Sequence, residues 1–122
     1  MPRILIVEDN PANMKLASLL LRNAGHEALC AVDAESGLTL ARVEQPDLIL
    51  MDIQLPGMDG LEATAVLKRG ESTRAIPVIA LTALAMKGDE ERIRAAGCDG
   101  YVAKPIRYQE FLATVTAHLA RT

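Results

Sequence analysis

Leu48-Ile49-Leu50-Met51-Asp52-Ile53-Gln54-Leu55-Pro56 is the stretch that decides the fold. Apolar residues 48–51 run without interruption into a carboxylate, with Pro46-Asp47 ahead of them and Pro56-Gly57 behind. Such a run between turn signals reads as a strand buried on both faces, which belongs at the centre of a parallel sheet. Open sheets of this kind place their ligands beyond the carboxyl ends of the strands. Asp52 stands at such an end. Taken alone, it reads equally well as a polar residue that faces solvent where the strand stops, and the other strands decide between the two.

Working outward, Asp33 caps a helix through about Val43 that Gln45-Pro46 ends. Asp59 and Glu62 have capping-box spacing and open a helix to about Arg69, followed by a polar loop over Gly70 to Ala75. Toward the N-terminus, Arg3 to Val7 reads as a first strand. Asn10-Pro11 then opens a helix with Met14, Ala17, Leu20, Leu21 and Ala24 on one face and Gly25 as its stop. Glu27 to Val32 is a weaker second strand. Toward the C-terminus, Pro77 leads into Val78-Ile79-Ala80-Leu81, a fourth strand ending on Thr82. A helix then runs to about Ala96, with Glu90 and Arg94 as an i,i+4 pair and Gly97 as its stop. Gly100 to Ala103 is a fifth strand ending on Lys104-Pro105, and a last helix carries Phe111, Leu112, Val115 and Leu119 on one face. Strands alternating with helices imply an α/β fold: a doubly wound, five-stranded parallel sheet with helices on both faces.

The strand ends form a set. Strand 1 ends on Glu8 and Asp9, strand 3 on Asp52, strand 4 on Thr82 and strand 5 on Lys104. In the flavodoxin-like order 2-1-3-4-5, Asp9 and Asp52 meet at the switch point. Two carboxylates about 4 Å apart repel by roughly 4 kcal/mol at an effective dielectric of 20, so they need a cation or a proton. Oxygen-only ligands favour Mg²⁺, with Mn²⁺ as the alternative, shared with phosphate oxygens. Lys104 supplies a mobile positive charge for a phosphoryl oxygen or for Asp52, and Thr82 a hydroxyl donor. An Asp carboxylate is also a nucleophile that can form an aspartyl phosphate. Each residue has a plain reading of its own, but the complementary set points to a phosphoryl group at Asp52.

Composition agrees with a single soluble domain. The 122 residues suffice for a core without staples. Half are hydrophobic but only three are aromatic, so the core must be aliphatic. A net charge of −3 gives no basic footprint for nucleic acid. Cys30 and Cys98 lack CxxC spacing and read as reduced packing residues, which suits the cytoplasm. His26 and His118 do not suggest a metal site. No apolar run nears the roughly 20 residues of a membrane span, and no signal-peptide pattern is present.

ILIVEDN at 4–10, DLILMDIQLPGMDG at 47–60, IPVIALTA at 76–83 and GYVAKPI at 100–106 resemble the receiver domain of bacterial two-component response regulators. The resemblance spans nearly the whole chain in order and spacing. AMKGDEERIRAAGCDGYVAKPI resembles in particular the stand-alone DivK type. The resemblance implies a CheY-like (βα)5 fold in which Asp52 accepts a phosphoryl group from the phosphohistidine of a histidine kinase or phosphotransferase. Asp9, Asp52 and the backbone carbonyl of Gln54 would bind Mg²⁺ with Glu8 assisting. Thr82 and Lys104 would hold phosphoryl oxygens, and Lys104-Pro105 would be a cis peptide. Tyr101 would be the switch aromatic that follows Thr82, while Gln54 and Leu84 would tune dephosphorylation. The phosphodonor would dock at Asn13, Met14, Ala17, Pro105 and Ile106. Output would pass through the face formed by the fourth helix, fifth strand and fifth helix to another protein.

The domain expected is a receiver over 1–122 without an effector domain, acting as a signalling phosphoacceptor rather than an enzyme. It is expected to be a monomer or weak dimer, with no direct contact to nucleic acid or membrane. The start Met1-Pro2-Arg3 favours a stand-alone protein over a module of a larger regulator or hybrid kinase. A receiver-fold scaffold not regulated by phosphorylation is a further alternative, but one with a decayed site would be expected to have lost Asp52 or Lys104. An Asp-nucleophile phosphatase would carry a second Asp where Gln54 stands. A nucleotide binder would need a glycine-rich loop where Glu8-Asp9-Asn10-Pro11-Ala12-Asn13 stands.

Overall fold

The computed structural model describes residues 1–83 and 87–119, with Lys87 described by its backbone alone. Among the described residues the order is β1 (Arg3–Val7), α1 (Pro11–Asn23), β2 (Glu27–Ala31), α2 (Ala34–Glu44), β3 (Leu48–Asp52), α3 (Gly60–Arg69), β4 (Val78–Thr82), α4 (Lys87–Ala95), β5 (Gly100–Ala103) and α5 (Tyr108–Leu119). The sheet is parallel throughout, with the expected order β2-β1-β3-β4-β5.

Strand alternation divides the core in two, because successive side chains point to opposite faces. Leu5, Val7, Ile49, Met51, Val78 and Ala80 pack with Ala34, Leu38 and Ala41 of α2, Ala63 and Leu67 of α3, and Ile93 of α4. Ile4, Ile6, Leu48, Leu50, Ile79 and Leu81 pack on the other face with Ala17 and Leu21 of α1 and Phe111 and Val115 of α5. β3 and β4 are buried along their whole lengths, so the unbroken apolar runs reflect cover on both faces.

The helix ends follow local chemistry. Asn10 accepts from the N–H groups of Ala12 and Asn13, Asp33 from that of Ser36, and Asp59 from that of Glu62. Past α4, Gly97 has φ +104°, and a Cβ there would meet Lys68 Cγ at 2.8 Å. Lys68 Nζ donates to the carbonyl of Ile76 and to Asp99 Oδ2, each at 2.9 Å, tying α3 to the turn before β5. The pair Glu90–Arg94 forms at 2.9 Å on the exposed face of α4.

Several expectations need correction. β2 stops at Ala31, and Val32 is 61% exposed beyond it. Ala24 is the exposed C-cap of α1, while Ser18 takes a buried place on the helix. Cys30 is free but exposed, because β2 is an edge strand; only Cys98 is a buried packing residue. Leu84 lies outside the described residues.

Phe111 is fully buried between α5 and the sheet. Phe111→Ala is expected to lower the unfolding free energy by about 3–5 kcal/mol. Urea denaturation measures this, and a loss below about 1 kcal/mol would contradict the packing described.

Candidate functional site

The carboxyl ends of the inner strands gather the charges. β1 continues into Glu8, whose N–H donates to the Ala31 carbonyl at 3.0 Å, so the ladder to β2 fixes its backbone. Glu8 is only 1% exposed, whereas Asp9, one residue on, is exposed. Asp52 closes β3 at 2% exposure. Glu8, Asp9 and Asp52 each bring a carboxylate oxygen within 4.8 Å of the others.

Lys104 reaches into this acidic set from beyond β5. Its backbone N–H donates to the Thr82 carbonyl at 2.8 Å, and its peptide bond to Pro105 is cis. Its Nζ donates to Asp52 Oδ2 at 2.9 Å and lies 2.9 Å from Glu8 Oε1. The remaining oxygen of Asp52, Oδ1, accepts from the N–H of Gln54 at 2.9 Å. Glu8 Oε2 accepts from the N–H of Asn10 at 3.2 Å, so the start of α1 also holds the site.

This charge balance perturbs both partners. Burial and the neighbouring Asp52 push Glu8 up from 4.5 to about 7, although Lys104 and the Asn10 N–H pull the other way. Burial opposes the charge on Lys104, but Glu8 and Asp52 outweigh it and raise its pKa. Glu8 Oε1 is buried yet receives no aligned hydrogen bond, despite its ion pair with Lys104. An acidic, oxygen-only set with such an oxygen suits a hard divalent cation. Among the described residues, the carboxylates that could hold it are Glu8, Asp9 and Asp52.

The other expected residues fall around this set. Thr82 is 1% exposed at the end of β4, one residue past Leu81, which pairs with Asp52. Tyr101 pairs with Ala80, is 40% exposed, and lines a cleft of about 400 Å³ with Ile93, Arg94 and His118. Gln54 and Pro105 are exposed, while Asn13, Met14 and Ile106 are half-buried. Ala17 is fully buried against the sheet and offers no surface to a docking partner. Periodicity placed it on the inward face of α1, which is the reason it cannot be touched. Gly60, pressed against the Asp52 backbone, was not singled out from sequence. Its signal was a glycine directly after an Asp N-cap, where a better helix former is expected.

The family model for the response regulator receiver domain matches residues 4–116. The chain belongs to that family. It is 53% identical over 116 residues to the polar-differentiation response regulator DivK of Brucella ovis, covering 95% of this chain and 94% of the relative. Among solved structures, a putative response regulator of Chloroflexus aurantiacus matches with TM-score 0.94 at 32% identity, covering 98% of each chain. The receiver domain of the sensor histidine kinase PA1611 of Pseudomonas aeruginosa matches with TM-score 0.91 at 36% identity, again over 98% of each. That structure has a magnesium ion coordinated in its active-site cleft. The chain is thus a receiver domain of the two-component signalling class, with a DivK-like sequence. No helix among the described residues is long and apolar enough to cross a membrane.

Glu8 gives this receiver a pH dependence of defined sign. Between about pH 4.5 and 7 the folded state keeps a proton on Glu8 that the unfolded chain releases. Without divalent cation, stability should therefore fall as pH rises through that window, by on the order of 3 kcal/mol in full, and the Glu8 contribution should level off above it. Urea unfolding from pH 4.5 to 8 should show this slope in the wild type and lose it in Glu8→Gln. Equal slopes in the two proteins would remove Glu8 as the cause.

Proposed function

We propose that this receiver is a phosphoacceptor in a two-component or phosphorelay pathway, with Asp52 as the accepting residue. The observation that carries the reading is the Asp52 carboxylate, 2% exposed at the end of β3, joined to Lys104 at 2.9 Å within the acidic set of Glu8 and Asp9. The donor is a phosphohistidine of a sensor histidine kinase or histidine phosphotransferase, located with this chain in the cytoplasm.

The transfer balances simply. An Asp52 carboxylate oxygen forms a bond to phosphorus, the phosphorus–nitrogen bond of the donor breaks, and the donor imidazole keeps that electron pair. The acyl phosphate stays on Asp52 until water attacks phosphorus. Mg²⁺, with Mn²⁺ as the alternative, supplies charge neutralisation for the incoming phosphoryl oxygens. Asp9, Asp52 and the Gln54 carbonyl would hold it, with Glu8 assisting. Lys104 turns its ammonium from Asp52 to a phosphoryl oxygen, and the Thr82 hydroxyl binds another. On this reading the chain is a signalling phosphoacceptor that at most catalyses its own phosphorylation and dephosphorylation.

Phosphorylation adds about −1.5 to −2 charges. Thr82 responds at the end of β4, and Tyr101 on the neighbouring strand follows. Output then passes by protein contact through the face of α4, β5 and α5, where Tyr101 lines the cleft with Ile93, Arg94 and His118. The phosphodonor docks across Asn13, Met14, Pro105 and Ile106.

Incubation with acetyl phosphate and Mg²⁺ should add one phosphoryl group by intact mass, and Asp52→Ala or removal of Mg²⁺ should abolish it. No adduct, together with no response to beryllofluoride and Mg²⁺, would overturn the reading. Thr82→Ala should still take up the phosphoryl group but lose the accompanying change at Tyr101. Side-chain NMR of Tyr101 reads this, and a change of wild-type size would exclude Thr82 as the trigger.

A further inference from the structure

Gly60 begins α3, directly after the N-cap Asp59. Glycine is a poor helix former, and positive φ is confined to Gly25, Gly57 and Gly97 among the described glycines. Gly60 is therefore not there for its backbone angles. Space explains it. A Cβ at Gly60 would lie 2.6 Å from Ile53 Cα and 2.8 Å from the carbonyl carbon of Asp52, and closer still to the Asp52 carbonyl oxygen. These are backbone atoms at the end of β3 and cannot swing aside as a long side chain can. The first turn of α3 thus rests on the peptide that carries the acceptor carboxylate.

Two hydrogen bonds keep it there. The Gly60 N–H donates to the Ile53 carbonyl at 3.3 Å. The buried Thr64 hydroxyl donates to the Gly60 carbonyl at 2.8 Å, and Cys98 Sγ lies 3.8 Å from the same hydroxyl. The Gln54 N–H in turn donates to Asp52 Oδ1 at 2.9 Å. Residues 52–54 are held between the first turn of α3 and their own side chain–backbone bond.

We propose that Gly60 is a positioning residue for Asp52: its missing side chain lets α3 fix the peptide that aims the carboxylate at Lys104 and the cation site, with Thr64 locking the turn. The proposal rests on the phosphoacceptor reading above. A Cβ would push apart α3 and residues 52–54, turning the carboxylate and the Gln54 carbonyl together. Supporting groups behind metal ligands typically matter by about 10- to 100-fold in affinity. A displacement near 1 Å at a reacting group costs about 100-fold in rate.

The test compares Gly60→Ala with Leu67→Ala, which removes a buried core side chain from the same helix and is no member of the carboxylate set. Calorimetric Mg²⁺ titration, uptake from acetyl phosphate and urea unfolding are measured on both. Gly60→Ala is expected to weaken Mg²⁺ by about 10- to 100-fold and slow uptake by about 100-fold. Leu67→Ala, though destabilised, should keep wild-type values. A folded Gly60→Ala that matches the wild type, or a Leu67→Ala that loses as much, overturns the proposal. If Gly60→Ala does not fold, Thr64→Val takes its place, with a smaller loss in the same direction expected and no loss overturning it. Hydrogen exchange at the Gln54 amide is read throughout. It should quicken in Gly60→Ala because its bond to Asp52 Oδ1 is disturbed, and unchanged exchange counts against the positioning role. That readout needs neither Mg²⁺ nor a phosphoryl group. A wild type that binds neither therefore defeats the phosphoacceptor reading while leaving Gly60 decided.

Discussion

The ammonium of Lys104, 2.9 Å from both Asp52 Oδ2 and Glu8 Oε1, is the contact on which the rest of the site depends. Two nearly buried carboxylates side by side repel strongly, and a single cation between them is what makes the arrangement tolerable. It still leaves a surplus of negative charge, since Asp9 also brings an oxygen within 4.8 Å. Burial first, and the neighbouring Asp52 after it, lift the proton affinity of Glu8 to about 7. Lysine suits the role because its ammonium is a compact point charge on a flexible stem and can change partners without a fixed fork geometry.

The sheet makes this concentration of charge possible. Side chains alternate between two apolar layers along β1, β3 and β4, so each strand is anchored on both faces up to its last residues. Polar groups are left for the strand ends, where the parallel arrangement aligns them along one edge. Glu8, Asp52 and Thr82 come from adjacent strands, while Lys104 crosses from beyond β5. A site built from the ends of buried strands inherits their rigidity, a requirement where a carboxylate, an ammonium and a cation must keep sub-ångström relations. The same rigidity explains why the first turn of α3 can act on Asp52 through backbone contact alone.

The strands, the helix caps and the polar residues at the strand ends were legible because each is written in local sequence, whereas the strand order came with the family resemblance. An apolar run ending in Asp, a proline after Lys104, and Asn or Asp before a helix are short-range signals with definite chemistry. Depth was not legible in the same way. Periodicity put Ala17 on the inward face of α1 but could not say that nothing reaches it from outside. Cys30 looked like core because its neighbours are apolar, yet β2 has a partner strand on one side only. Glu8 and Asp9 are adjacent in sequence and opposite in exposure, because the Glu8 N–H still joins the ladder to Ala31 and Asp9 comes after it. The close approach of α3 to Asp52 depends on three-dimensional packing, of which sequence held only the trace of a glycine in an unfavourable place.

Electrostatics also explains why cation and phosphoryl group belong together in the proposed chemistry. A phosphoryl group brings about −1.5 to −2 charges to an edge that already carries excess negative charge. Lys104 could satisfy it only by leaving Glu8 and Asp52, and the buried oxygen Glu8 Oε1 would then face like charge without any cation. A divalent ion held by Asp9, Asp52 and the Gln54 carbonyl, with Glu8 assisting, would supply the positive charge that both problems call for. On this view a dependence on Mg²⁺ would follow from how deeply Glu8 and Asp52 are buried. It would weaken in a receiver whose corresponding carboxylates stood in water, where solvent could carry part of the charge.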